Sequence, residues 1–210
     1  MKPILGLASA AAVLAGFTCA SVPGAEVQPL LKGRRAVIVV ASEGFRDEEY
    51  AAVATLFRHH GAEVVVAANR AGKARGMGGA EVSADRALAA VRAADFHAVV
   101  FIGGAGARTL LWDNAEAQRL AREAVATPAV VGAICYAPCI LAKAGVLKGR
   151  TAAVFRDRYS RAVFAECGAR LADAHVVVDG RLVTADGPES AKAFAEALVR
   201  LLSGPSRKER

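Results

Sequence analysis

Short apolar runs alternate with amphipathic stretches along most of the chain. Ala36 to Ala41 (AVIVVA), Glu63 to Ala68 (EVVVAA), His97 to Ile102 (HAVVFI) and Ala129 to Ile134 (AVVGAI) carry almost no polar residues. Runs of this length without polar alternation predict strands buried on both faces. Helical patterns lie between them. Asp47 to His60 puts Tyr50, Val53, Ala54 and Phe57 on one face. Asp47, Glu48 and Glu49 fall in its first turn, where the dipole favours acids, and Gly61 follows its end. Ala84–Ala93, Ala115–Val125, Tyr136–Ala144, Tyr159–Cys167 and Glu189–Leu202 read as further helices. Ser42 to Arg46 reads as a loop. Asn69 to Gly79, glycine-rich and basic, reads as an exposed turn or small hairpin. Thr151 to Phe155 starts another strand, and Val176–Val178 with Leu182–Thr184 predicts a hairpin around Asp179-Gly180. Strands alternating with helices predict a flavodoxin-like three-layer α/β/α sandwich with a mainly parallel sheet. One domain spans residues 34–203, and a polar basic tail occupies 204–210.

The first residues stand apart from this pattern. Lys2 precedes an apolar run from Ile4 to Phe17, and small residues follow up to Ala20 and Ala25. The run is shorter than the roughly 20 residues of a membrane span. It reads as a signal peptide over residues 1–25, which places the mature protein in the periplasm or outside the cell, with no stable membrane insertion after cleavage. Its removal takes Cys19 and leaves Cys135, Cys139 and Cys167, an odd number, so at least one thiol stays free or pairs between chains. Cys135 and Cys139 lie one helical turn apart, a marginal spacing for a bridge.

Composition adds little to the functional picture. The chain has 210 residues and a net charge of +7. The charge is diffuse, with no basic stripe interleaved with aromatics, so nucleic acid is not the expected partner. No His/Cys/Asp cluster has metal-ligand spacing, and no dinucleotide or phosphate-loop fingerprint is present. No cofactor is expected.

Candidate chemistry gathers in three loops that a parallel sheet brings to one edge. Cys135 sits between a strand and a helix, where a helix N-terminus favours a thiolate. A buried cysteine packing as a small hydrophobe is the plainer alternative. Gly103 and Gly104 let the backbone approach a ligand, and with the Tyr136 amide they could form an oxyanion pocket. A tight turn explains the glycines equally well. Glu43, Asp47, Glu48 and Glu49 follow the first strand, and a protonated carboxyl among them could hold a thiolate in place.

Taken together, VIVVASEGFRDEEY (37–50), VVFIGGAGA (99–107), VGAICYAPCILAKAGVLKGR (131–150) and VVVDGRLVTADGP (176–188) resemble the ThiJ/PfpI superfamily. That superfamily includes PfpI-type intracellular proteases and the parkinsonism-associated deglycase. The resemblance implies a nucleophilic elbow cysteine at Cys135 and a partner acid at Glu49, with Glu48 and then Glu43 behind it. It also implies a pocket at Gly103, Gly104 and Tyr136, and a homodimer. The chain departs from the pattern in its histidines. Tyr136 stands where PfpI-type members have one, and the stretch Ala153 to Arg156 has none where the deglycase branch does. His59, His60, His97 and His175 match no catalytic position of the superfamily.

Three functions follow as expectations. The first is an enzyme acting through a Cys135 thiolate on small carbonyl compounds, glyoxalase- or deglycase-like, with Glu49 carrying the proton. The second is a redox-sensing or chaperone-like stress protein in which Cys135 oxidises to a sulfinate. The third is a cysteine amidase or protease, which needs the missing histidine.

Overall fold

The computed structural model describes residues 29–204; the leader peptide read over residues 1–25 and most of the basic tail lie outside them. In chain order the elements are β1 (Arg35–Val40), β2 (Glu43–Phe45), α1 (Asp47–His59), β3 (Glu63–Ala68), β4 (Gly72–Gly76), β5 (Glu81–Ala84), β6 (Arg86–Ala87) and β7 (Ala98–Phe101). There follow α2 (Ala115–Ala126), β8 (Val130–Ile134), α3 (Pro138–Lys143), β9 (Thr151–Ala152), α4 (Arg158–Glu166), β10 (Arg170–Leu171), β11 (Val176–Asp179), β12 (Leu182–Ala185) and α5 (Ala191–Ser203).

The central sheet runs β11-β12-β8-β7-β1-β3-β6, and every pairing in it is parallel except β11 with β12. Alternate residues of the apolar strands feed two cores. Val37, Val39, Val99, Phe101 and Val131 pack with Leu120 of α2 and Ile140 of α3 on one face. Ile38, Val40, Val100 and Ile102 pack with Phe57 of α1 and Phe194 of α5 on the other. The sheet is therefore the middle layer of a three-layer α/β/α sandwich, and the lack of polar alternation in its strands is a consequence of that double burial.

β1 pairs with β3 on one side and with β7 on the other, so the chain reverses its direction of travel across the sheet between them. Loops leaving β1 and β7 therefore diverge at their carboxyl ends, and the end of β8 lies beside them. Such a switch point opens a crevice.

Several local elements differ from the sequence pattern. The stretch after β1 is a short strand, β2, which joins the β4–β5 hairpin in a separate three-stranded sheet. No α-helix forms over Ala84–Ala93. Asp85 Oδ2 takes the Val66 amide at 2.8 Å and the Asp85 amide reaches the Val66 carbonyl, which holds this stretch to the sheet edge as β6, followed by two single 3₁₀ turns. The strand at Thr151 stops after two residues because its backbone finds other partners. The Ala153 amide donates to Thr184 Oγ1 at 3.0 Å, and the Phe155 amide donates to the Cys135 carbonyl at 2.9 Å. Finally, α3 begins at Pro138, two residues later than the pattern suggested, as a proline at the first position allows.

Candidate active site around Cys135

Cys135 is the first residue past β8, and its backbone is bent sharply. At φ 61° it is the one non-glycine residue with positive φ among the described residues. A left-handed conformation costs a side-chain-bearing residue about 1–2 kcal/mol. The strain is held by its neighbours: the Cys135 amide donates to the Ala185 carbonyl and its carbonyl accepts from Phe155, both at 2.9 Å. A strained residue at the end of a central strand points to function rather than packing.

The expected partner acid is beside it. Of the four acids after β1, only Glu49 is buried, at 0% exposure. Glu48 and Glu43 are exposed, and Glu43 pairs with Arg70. Asp47 turns away to accept the Gly78 and Ala80 amides of the hairpin, each at 2.7 Å. Glu49 Oε2 accepts the Gly103 amide at 2.9 Å. Its Oε1 is sealed from solvent without a hydrogen-bond partner among the described residues, and the Cys135 thiol is close enough to be coupled to the carboxyl.

Both glycines after β7 are required by space. A Cβ on Gly103 would lie 2.5 Å from Cys135 Cβ and 2.8 Å from Glu49 Oε2. Gly104 has φ 102°, and a Cβ there would lie 2.5 Å from the Gly44 carbonyl oxygen. The tight fit brings the Gly104 and Tyr136 amides to the sulfur, where both favour its charged form.

They do not prevail. Burial pushes the Cys135 thiol up to about 12, and the Glu49 charge adds to the effect. Burial also lifts Glu49 to about 7, against the pull of the Gly103 amide and the Cys135 thiol. Two negative charges cannot share this apolar site, so near neutrality the pair holds at most one. The helix dipole expected to favour a thiolate is weak here, because α3 starts three residues beyond Cys135 and has only six residues. Cys139 and Cys167 are likewise raised by burial, and among the described residues Cys135, Cys139 and Cys167 form no disulfide.

Tyr136 lines the other side. Its ring meets Trp112 and Phe155 edge-on, at centroid distances of 5.6 and 5.3 Å, and Trp112 Nε1 donates to its carbonyl at 2.7 Å. Its hydroxyl donates to Asp157 Oδ2 at 2.5 Å. The other Asp157 oxygen caps α4 through the Tyr159 and Ser160 amides, and Ser160 completes a capping box. Burial and then Asp157 push the Tyr136 phenol up to about 12. Sequence reading missed Asp157, although an acid three residues before Ser160 at a helix start is an N-cap signal.

No histidine hydrogen-bonds Cys135 among the described residues. His59 and His60 meet edge to face at the end of α1, and His97 Nδ1 accepts the Arg35 amide at 3.0 Å. His175 comes to the same sheet edge as Cys135, where its Nδ1 meets Asp186 Oδ2 at 2.6 Å and Ser190 Oγ donates to Asp186 Oδ1 at 2.6 Å. Its ring is 84% exposed.

Known proteins share this arrangement of chain. A deglycase from Thermococcus kodakarensis is 34% identical over 169 residues, covering 79% of this chain and 98% of its own. A ThiJ/PfpI domain protein from Brachyspira murdochii superposes with a TM-score of 0.77 at 32% identity, covering 82% of this chain and 98% of that one. Drosophila melanogaster DJ-1beta superposes at 0.73 with 28% identity, covering 82% and 91%. The model of the DJ-1/PfpI family matches residues 34–201, the whole of the sandwich that carries the Cys135 elbow, and the chain belongs to that family.

Proposed function

We propose that the protein is a cysteine-dependent enzyme acting on small reactive carbonyl compounds, of glyoxalase or deglycase type. The observation that carries this reading is the strained Cys135 held against a buried carboxyl whose pKa lies near 7. A thiol that rests protonated needs a base at hand. Ionised Glu49 takes the Cys135 proton as sulfur forms its bond to the carbonyl carbon, and the protonated acid then delivers that proton to the carbonyl oxygen. The Gly104 and Tyr136 amides stabilise that oxygen as its charge develops. From a 2-oxoaldehyde, the hemithioacetal rearranges by proton transfer between its two carbons to a thioester. Water cleaves the thioester to a 2-hydroxy acid and restores the thiol. Water is the only co-reactant, and the oxidation of one carbon balances the reduction of its neighbour. The deglycase name of the Thermococcus relative agrees with this chemistry.

The test is lactate production from methylglyoxal by wild type, Cys135→Ser and Glu49→Gln. Wild type turns over, Cys135→Ser does not, and Glu49→Gln falls by at least about 10²-fold, the usual scale of a lost general acid–base. Full activity in Cys135→Ser overturns the proposal. A second reading, a redox sensor, is favoured by the unpartnered Glu49 Oε1. Protonated, it could donate to a Cys135 sulfinate formed by peroxide. Wild type that makes no lactate, yet gains two oxygens at Cys135 with peroxide, selects that reading.

A further inference from the structure

Beside the Cys135 pocket, the helical turn Ala107–Leu111 and the start of α4 bring two guanidiniums onto one aromatic ring. Arg108 lies 4.4 Å over the Tyr159 ring centroid, and Arg158 lies 4.5 Å from the same centroid and also contacts the Tyr159 hydroxyl. Neither arginine forms an ion pair with an acid among the described residues, whereas Arg156 is paired with Asp173. Arg108 Nε is shut off from solvent and has no hydrogen-bond partner there. Asp157, the acid that caps α4, already accepts from the Tyr136 hydroxyl and the Tyr159 and Ser160 amides. Both guanidiniums act on the Tyr159 hydroxyl, and two like charges gathered there with no acid paired to either are unfavourable unless something negative joins them.

Position ties this cluster to the nucleophile. Arg108 is four residues past Gly104, and its charge acts on the Tyr136 phenol. Tyr159 is two residues past Asp157, which holds that same phenol. We infer that Arg108, backed by Tyr159 and Arg158, is a carboxylate-binding wall of the Cys135 site, so that the favoured substrates are carbonyl compounds bearing a carboxylate. The two terminal nitrogens of a guanidinium form a planar fork that fits the two oxygens of a carboxylate. A carboxylate on that fork would relieve the repulsion between the two arginines. The substrate class rests on the nucleophilic role proposed for Cys135; the carboxylate-binding wall does not.

Two measurements keep the wall and the nucleophile apart. The first is the rate of alkylation of Cys135 by iodoacetate and by iodoacetamide, which differ by one charge, read by peptide mass spectrometry. Relative to Cys167 in the same molecule, Cys135 should favour iodoacetate by about ten-fold, the worth of one charge-assisted hydrogen bond. Arg108→Gln should lower the iodoacetate rate about five-fold more than the iodoacetamide rate. The control Arg161→Gln, an exposed arginine further along α4, should change the two rates alike. Equal ratios in Arg108→Gln and Arg161→Gln overturn the wall. The second measurement removes the thiol. In Cys135→Ser, the fluorescence of Trp112, which packs against Tyr136, is titrated with pyruvate and with acetone. Saturable binding of pyruvate alone, weakened by Arg108→Gln, supports the wall even if Cys135 proves unreactive. Equal responses to the two probes overturn it, and tighter binding of inorganic phosphate than of pyruvate overturns the carboxylate assignment.

Discussion

Glu49 Oε2 accepts the Gly103 amide at 2.9 Å while the rest of its carboxyl is buried against Cys135. The bond anchors the acid but does not offset its desolvation. Burial leads the causes that raise Glu49 from 4.5 to about 7. The folded protein therefore binds a proton here that the unfolded chain has released, and stability falls as pH rises from 4.5 to about 7. Glu49→Gln removes that titration while keeping the shape and the acceptor. The variant should match wild type at pH 4 and exceed its stability at pH 8 by up to about 3 kcal/mol. Urea unfolding at the two pH values measures it. An equal change at both would mean that Glu49 is not titrating in this range.

The elbow predicts an inversion of an ordinary ranking. Glycine is usually less stable than alanine inside a folded element, by about 0.5–1 kcal/mol. At φ 61°, Cys135→Gly relieves the strain that Cys135→Ala retains. The glycine variant should be the more stable of the two by about 1 kcal/mol. Thermal melts of the pair decide this, and the usual order would mean that the backbone at Cys135 is not held in the left-handed region.

Two glycines, one beside Cys135 and one at the far end of the sheet, differ in cause. Gly180 in the β11–β12 turn has φ 61° with nothing near a built Cβ, so Gly180→Ala carries only the conformational cost, about 1 kcal/mol. Gly103→Ala places its methyl carbon 2.5 Å from Cys135 Cβ and 2.7 Å from the Ile134 carbonyl oxygen. Relief requires the elbow or Glu49 to move. It should cost about 1–3 kcal/mol as an overpacked site and change the alkylation rate of Cys135, which Gly180→Ala should leave as it is. Similar Cys135 reactivity in the two variants would show that Gly103 serves only as a turn.

The double-buried strands were legible because their residues face two cores at once, which leaves no room for polar positions in Val37–Val40 or Val99–Ile102. The meeting of Glu49, Gly103 and Cys135 at one edge followed from the alternation of those strands with helices. The stretch after β5 was not legible. Its shape depends on the Asp85 side chain taking a backbone amide of β3, a tertiary bond with no periodic trace. The protonation of Cys135 was misjudged for a related reason. A cysteine before a helix suggests a stabilised thiolate, but the sequence does not show that α3 starts late or that Glu49 is sealed beside the sulfur. Asp157 was hidden because its meaning lies in Tyr136, twenty-one residues earlier.

That pair supports the last prediction. Burial alone would raise the Asp157 carboxyl, but the Tyr136 hydroxyl and then the Ser160 and Tyr159 amides together hold it below 3.8. Ionised Asp157 orients the Tyr136 hydroxyl, whose proton points at the carboxylate and whose oxygen remains free to accept from a bound substrate. Tyr136→Phe keeps the ring against Trp112 and Phe155, and Asp157→Asn keeps an acceptor for the α4 cap. A double-mutant cycle on these two changes isolates the hydroxyl–carboxylate bond. The coupling should be about 1 kcal/mol at pH 7, low for a charged bond because Asp157 is partly open to solvent. A depressed carboxyl stabilises the fold above its unfolded value, and that contribution is lost as pH falls through the folded value, so the coupling should shrink below pH 3.8. Strictly additive single mutants at pH 7 would show that the bond contributes nothing. Unchanged coupling in acid would show that Asp157 is not the charged partner.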